Sequence, residues 1–164
     1  MEAADYRMHA VLAAACLGFA VVQIDVSVVN IGLPQIGGAF SAGLGGLQWV
    51  INSYSLTFSA VLLLGGSWAD RIGAKKVFLA GFVIFSLSSI GCGIATGLPM
   101  LISMRLLQGF GVALILPCAL SLIRTGYDNP EARRSAIAVF GAFGGIGMAA
   151  GPLVGNAGAG GASS

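Results

Sequence analysis

The chain alternates between long apolar stretches and short segments that hold nearly all of its charges. A membrane-crossing helix needs about 20 mostly apolar residues, because the hydrocarbon core is about 30 Å thick and a helix rises about 1.5 Å per residue. Five stretches meet this requirement: residues 9–33, 47–68, 77–96, 98–123 and 135–155. The pattern therefore predicts an all-α integral membrane protein with five transmembrane helices.

The two ends of the chain differ from these spans. Residues 1–8 form a short polar segment before the first span. Residues 156–164 are mostly Gly, Ala and Ser, and we expect a frayed or artificial tail there. We do not expect the first span to be a cleavable signal peptide, because it is too long, lacks an A-x-A exit and contains Asp25.

The composition agrees with a lipid solvent. The chain is 57% hydrophobic and 9% charged, whereas soluble domains carry about 25% charged residues. So few charges exclude a nucleic-acid binder, a disordered tail and most soluble enzymes. The three cysteines form no C-x-x-C pair and no metal-ligand spacing, and we expect small buried apolar side chains at Cys16, Cys92 and Cys118.

The basic residues predict the orientation. Seven of the eight Lys and Arg residues lie outside the spans, in segments that a five-span chain places on one side. They are Arg7, Arg71, Lys75, Lys76, Arg124, Arg133 and Arg134. Because basic loops remain in the cytoplasm, we expect residues 1–8 to be a cytoplasmic N-terminal tail.

Two charged residues, Asp25 and Arg105, lie inside spans. Asp25 precedes Leu33 by eight residues and Arg105 follows Leu98 by seven, so both are expected about 10–12 Å below the outer end of the bundle. An acid and a base at equal depth could form a structural ion pair. The alternative, which we favour, is a proton or cation site facing a polar cavity, because ionisable groups inside membranes are costly and usually functional.

Span 2 carries a polar strip. Asn52, Ser55 and Ser59 follow helical spacing, and Tyr54 and Thr57 lie on a neighbouring strip. These side chains could line a cavity or form hydrogen bonds between helices, and the sequence does not distinguish the two.

Four stretches carry recognisable motifs. Residues 65–76 read GGSWADRIGAKK, residues 25–34 read DVSVVNIGLP, residues 105–111 read RLLQGFG and residues 147–155 read GMAAGPLVG. In spacing and position these stretches resemble signatures of the major facilitator superfamily, and in particular of its fourteen-helix proton-coupled multidrug exporters. The resemblance covers nearly the whole chain and implies five helices of the N-terminal half of a major facilitator fold.

The motifs of spans 1 and 4 imply a binding site. By resemblance, Asp25 is the proton- or substrate-linked carboxylate and Arg105 takes part in proton coupling. We add polar residues of the same two motifs and of span 2 to the predicted proton- and substrate-binding residues. The set is Asp25, Arg105, Asn30, Gln108, Asn52 and Tyr54.

The other two motifs imply segments that take part in conformational change. The resemblance makes residues 65–76 a cytoplasmic gating loop, in which Asp70 steadies the outward-open state by facing a helix end of the other half. An acid at a helix N-terminus is stabilised by the helix dipole. The loop residues are Gly66, Asp70, Arg71, Gly73, Lys75 and Lys76. The helix 5 exporter motif comprises Gly147, Gly151, Pro152 and Gly155, which are expected to allow close packing and a bend.

The resemblance implies an antiporter of the bacterial cytoplasmic membrane that exports lipophilic or cationic small molecules. It implies no enzyme activity and no cofactor, and it makes the proton gradient the energy source. The implied partners are a small-molecule substrate and the lipid bilayer, and no nucleic acid. Because the family fold has two six-helix halves, the chain is interpreted as a truncated exporter that needs a separately supplied C-terminal half or a second copy of itself. The alternative is a fragment that inserts into the membrane and transports nothing.

Overall fold

The structure is a computed structural model that describes residues 2–127 and 129–159, with side-chain surroundings for residues 12–127, 129–143 and 145. The described chain is helical throughout, apart from short connections. The helices are α1 (Glu2–Ala39), α2 (Leu44–Ile72), α3 (Ala74–Gly93), α4 (Leu98–Gly126) and α5 (Pro130–Ala159). This confirms the predicted all-α fold.

Four segments are long and apolar enough to cross a membrane within the residues that the structure describes. These segments are Leu12–Ala39, Leu44–Ile72, Ala74–Gly93 and Leu98–Gly126. Residues 135–155, the fifth predicted span, lie inside α5. Their passage through the membrane stays a prediction, because most of their side chains lie outside the described part.

Helix ends differ from the predicted span ends. Helix α1 runs through Pro34 to Ala39 instead of ending at Leu33, and α5 includes residues 156–159 of the predicted tail. Residues 160–164 lie outside the described residues. Counted from Ala39, Asp25 is about 21 Å from the end of its helix, whereas Arg105 is about 10 Å from Leu98. Helix ends do not mark the membrane boundaries, so the equal depth of the two charges stays a prediction.

The helices form two compact units, which we name the terminal unit (Met1–Pro34 and Tyr127–Ser164) and the central unit (Gln35–Gly126). In the terminal unit, Phe19 of α1 stacks on Phe140 of α5 with 4.9 Å between ring centroids. Helix α5 begins with a side-chain cap, because the Asn129 Oδ1 accepts the Glu131 N–H at 2.9 Å. Pro130 fits at the first helical position, where a backbone N–H has no helical partner.

In the central unit, α4 packs against both α2 and α3. Glycines allow this close approach: Gly65 of α2 lies against the carbonyl of Ala113, and Gly109 of α4 lies against the carbonyl of Tyr54. Helix α3 meets α4 where Gly81 faces Gly111. Close packing of backbones replaces the hydrophobic effect as the main attraction between helices in lipid.

One residue, Gly73, connects α2 to α3. Its N–H donates to the Ala69 carbonyl at 3.0 Å and completes α2, and its carbonyl accepts the Lys76 N–H at 3.1 Å and starts α3. The φ angle of Gly73 is +103°, a conformation that side chains with a Cβ rarely adopt. This explains physically why the motif has glycine here.

Candidate functional site

The centre of the candidate site is Arg105, which α4 buries inside the central unit with 3% of its surface exposed. Its Nη1 donates a hydrogen bond to the Oε1 of Gln108 over 2.8 Å. The two residues are three positions apart, so the helix places them on one face. Gln108 is completely buried. The spacing of the sequence motif thus becomes a direct contact between two of the predicted residues.

Tyr54 brings α2 into the site. The Cζ of Arg105 lies 5.5 Å from the centre of the Tyr54 ring, within the range of a cation–π interaction. Tyr54 is half-buried. Three of the six predicted binding residues, Tyr54, Arg105 and Gln108, are therefore brought together by the packing of α2 on α4.

Cys92 also belongs to the site, although the sequence did not predict it there. Its thiol donates a hydrogen bond to the Gln108 Oε1, with 3.3 Å between sulfur and oxygen. The expectation that Cys92 is merely a small buried apolar side chain is thus wrong, because it is half-buried and makes a polar contact. No sequence spacing could reveal this contact, since Cys92 and Gln108 belong to different helices.

These four side chains form a cluster that joins α2, α3 and α4. A guanidinium keeps its charge at any physiological pH, and its neighbours here contribute an amide oxygen and an aromatic face. The cluster therefore fixes a permanent positive charge inside the helices. Such a charge attracts an anionic group and favours the ionised form of any carboxyl that approaches it.

The remaining predicted binding residues are on helix surfaces. Asp25 is half-buried and Asn30 is exposed, and both belong to the terminal unit. Their association with Arg105 stays a prediction.

The polar strip of α2 is divided between two environments. Asn52, Ser55 and Ser59 are exposed on the surface of the central unit, as a cavity lining would require. Thr57 instead donates to the Ser53 carbonyl of its own helix at 3.0 Å. Ser53, which the strip did not include, is the buried serine of α2 and donates to the Val50 carbonyl at 3.3 Å.

At the other end of α2, two of the predicted gating-loop residues, Gly66 and Asp70, line a cavity of about 280 Å³ between α2 and α4. Asp70, Arg71, Lys75 and Lys76 are exposed, and Gly66 is half-buried. The cavity is lined by Gly66, Ala69, Asp70, Pro117, Leu120, Ser121 and Arg124. The sequence used Arg124 only to predict orientation, whereas the packing of α4 places it at the same cavity as Asp70.

The exporter motif of span 5 lies in α5. The helix includes Gly147, Gly151, Pro152 and Gly155. The surroundings of these side chains lie outside the described residues, so their packing role stays a prediction. In the part of the chain that the structure describes, no group of His, Cys, Asp or Glu side chains could hold a metal ion.

Known proteins resemble this chain in sequence and fold. The methylenomycin A resistance protein of Bacillus subtilis is 37% identical over 145 residues, which are 88% of this chain and 31% of that protein. The cephamycin export protein CmcT of Amycolatopsis lactamdurans is 37% identical over 88% of this chain and 30% of its own length. The drug efflux pump JefA of Mycobacterium tuberculosis is 36% identical over 91% of this chain and 29% of its own length.

The fold comparison agrees with these relatives. The crystal structure of a bacterial homologue of the human lysosomal transporter Spinster, in an inward-facing and unoccupied conformation, superimposes with a TM-score of 0.79 at 25% identity. The match covers 92% of this chain and 31% of that one. The chain thus spans less than a third of the length of each of these proteins.

A profile of the Major Facilitator Superfamily as a whole matches residues 15–163. With the helical fold and the four motifs, this match identifies the chain as a multi-pass membrane protein that belongs to the Major Facilitator Superfamily.

Proposed function

We propose that the chain forms part of a proton-coupled exporter of lipophilic or cationic small molecules. The observation that carries the proposal is the burial of Arg105 with its hydrogen bond to Gln108. Burying a guanidinium among membrane helices is costly, and such a charge is retained where it performs a task. The names of the relatives, which include resistance, export and efflux proteins, support drug export as that task.

The chemistry of the proposed exchange is simple. Burial favours the protonated form of a carboxyl, whereas a nearby guanidinium favours the carboxylate. A conformational change that alters the distance between Asp25 and Arg105 therefore changes whether Asp25 holds its proton. A cationic substrate competes with the proton for the same carboxylate. The exchange forms no covalent bond and uses the proton gradient as its energy source.

The proposal also assigns an orientation. The exposed basic residues at the adjoining ends of α2 and α3 are expected in the cytoplasm, with the N-terminus on the same side of a bacterial cytoplasmic membrane. Asp70, exposed at the end of α2, is then available to a helix end from a second half of the transporter. The helix 5 motif, with Gly147, Gly151 and Gly155, would let α5 pack closely against a neighbour.

Two experiments test whether the chain transports. In the first, cells that express only these 164 residues are loaded with a fluorescent cationic dye, and efflux is followed with and without a protonophore. Protonophore-sensitive efflux above the vector control is expected if copies of the chain assemble a pathway. A chain that inserts into the membrane without efflux leaves two alternatives. Either the chain needs a separate C-terminal half, or it is a fragment that transports nothing.

The second experiment separates these alternatives. The matching segment of the Bacillus subtilis relative, which is 31% of its length, is replaced by this chain. We expect the chimera to restore protonophore-sensitive export. A chimera that reaches the membrane at the level of the parent but exports nothing would contradict the proposed role of the chain.

A further inference from the structure

The cluster around Arg105 contains one group whose role the proposed function does not explain, the thiol of Cys92. Gln108 Oε1 accepts two hydrogen bonds, from Arg105 Nη1 at 2.8 Å and from Cys92 Sγ at 3.3 Å. The guanidinium has only donors, so it requires the oxygen and not the nitrogen of the amide on its side. The thiol uses the second lone pair of the same oxygen. Both contacts thus favour the same orientation of the Gln108 side chain.

Helix α3 approaches the Met104 side chain of α4 closely at the residue before Cys92. A Cβ at the neighbouring Gly91 would lie 2.5 Å from the Sδ of Met104 on α4. Cys92 is the next-to-last residue of α3, so this helix ends beside the amide that it contacts. The Cys92 side chain reaches the Gln108 amide from there and has a hydrogen to donate.

We infer that Cys92 is a positioning residue, which holds the amide of Gln108 in the orientation that receives Arg105. The contact ties the end of α3 to the guanidinium on α4, and Tyr54 ties α2 to the same guanidinium. A movement of α3 relative to α4 therefore changes how firmly Arg105 is held. A thiol is a weak donor, so this link breaks more easily than a hydroxyl link would. The consequence for transport rests on the proposed function, whereas the contact itself does not.

The contact is tested by thiol reactivity, which needs no transport. The 164-residue chain is treated with N-ethylmaleimide in native membranes, and mass spectrometry gives the labelling rate of each cysteine. Gln108→Leu removes the acceptor, and we expect Cys92 to react about fivefold faster. Gln108→Glu offers a charged acceptor, which binds the thiol hydrogen more strongly, and we expect slower labelling.

The opposite changes in the Cys92 labelling rate that we expect for Gln108→Leu and Gln108→Glu distinguish a specific contact from loosened packing. Loosened packing would speed labelling in both variants, and it would also expose Cys118, which is fully buried in α4. Equal Cys92 rates in all three proteins, or a parallel rise at Cys118, would overturn the inference. If Gln108→Leu does not accumulate in membranes, slower labelling of Gln108→Glu remains the expected result and an unchanged rate the contradicting one.

The positioning role is tested by exchange in the dye assay. Cys92→Ala removes the donor, and we expect about fivefold slower protonophore-sensitive efflux with a displaced pH profile. Cys92→Ser keeps a donor of similar size and should restore both the rate and the profile. Ser88→Ala is the matched control, because Ser88 is buried one turn earlier on α3 and donates only within its own helix, to Ile84 at 2.7 Å and Phe85 at 3.0 Å.

The outcomes separate this inference from the proposed function. Where the chain alone does not export, the efflux variants are made in the chimera with the Bacillus subtilis relative. If neither the chain nor the chimera exports while the labelling results hold, the proposed function fails and the contact stands. If the wild type exports and Cys92→Ala equals it in rate and pH profile, the positioning role is wrong while the proposed function stands. A Ser88→Ala variant as impaired as Cys92→Ala would reduce the role of Cys92 to helix packing.

Discussion

Gly81 of α3 and Gly111 of α4 face each other so closely that a Cβ on either would lie 2.8 Å from the other's carbonyl oxygen. Real Cβ atoms do not approach a backbone oxygen to that distance, so either helix must move to accept a methyl group. The pair therefore sets the distance between α3 and α4, and with it the position of Cys92 against Gln108.

The first prediction concerns this pair. Gly81→Ala and Gly111→Ala should each lower the free energy of unfolding by about 1–3 kcal/mol, because overpacking forces the backbones apart. The thermal midpoint of the chain in a mild detergent measures the effect. Gly93→Ala is the control on α3, since a Cβ there meets nothing within 4 Å. An equal loss at all three positions would show that helix contact is not the cause.

The second prediction compares two adjacent glycines of α2. A Cβ on Gly65 would meet the carbonyl of Ala113, whereas a Cβ on Gly66 meets nothing within 4 Å. Gly65→Ala should therefore destabilise the chain by about 1–3 kcal/mol. Gly66→Ala should stabilise it by about 0.5–1 kcal/mol, as alanine does in a helix interior. The thermal midpoints of the two variants in detergent test this prediction. A lower midpoint for Gly66→Ala than for Gly65→Ala would contradict the packing of α2 on α4.

This pair shows what the sequence could and could not predict. Gly66 is one of the predicted gating-loop residues, and a glycine in a membrane helix permits close contact with another helix. In the structure Gly65 makes that contact and Gly66 lines the cavity instead. Adjacent residues of a helix point about 100° apart, so the rotation of α2 decides which one meets α4. A hydrophobic pattern that surrounds the helix does not fix this rotation.

In the candidate site, too, the sequence predicts contacts within a helix but not contacts between helices. Contacts within one helix follow from spacing, so the Arg105–Gln108 hydrogen bond could be anticipated from a separation of three residues. The helices themselves followed from the length of apolar stretches. The contact of Cys92 with Gln108 depends on how α3 packs on α4, and no local pattern contains that information. The end of α1 was likewise not predictable from the pattern, since α1 continues through Pro34 where the pattern placed an end.

The third prediction concerns the connection between α2 and α3. Gly73→Ala should cost about 1–3 kcal/mol, because a φ of +103° is strained for any residue with a Cβ. Gly43→Ala is the matched control at the other end of α2, where φ is −67° and a Cβ meets nothing within 4 Å. Thermal midpoints in detergent measure both. A similar loss for the two variants would show that the φ angle of Gly73 is not the cause, because Gly→Ala at a relaxed φ should not destabilise the chain in this way.

The fourth prediction concerns the charge on α4. Arg105→Ala should slow protonophore-sensitive efflux by about tenfold or more, since a hydrogen bond to a charged group contributes about 1.5–3 kcal/mol. Arg105→Lys keeps the charge and should retain more exchange, although it loses the planar group that faces Tyr54. Efflux rates are compared at equal amounts of protein in the membrane. Equal rates for the two variants would mean that charge at this position is irrelevant to transport.

The fifth prediction concerns Asp25, the proposed proton carrier. Asp25→Asn preserves the size of the side chain and removes its titration, so the protein should insert normally but lose proton-coupled exchange. Everted vesicles with an imposed proton gradient provide the measurement, with the chimera used where the chain alone does not export. Asp25→Glu is the control, because it keeps a titrating carboxyl. Wild-type exchange by Asp25→Asn would remove the carboxyl from the mechanism. A loss in Asp25→Asn with activity in Asp25→Glu would tie transport to a proton held at this position of α1.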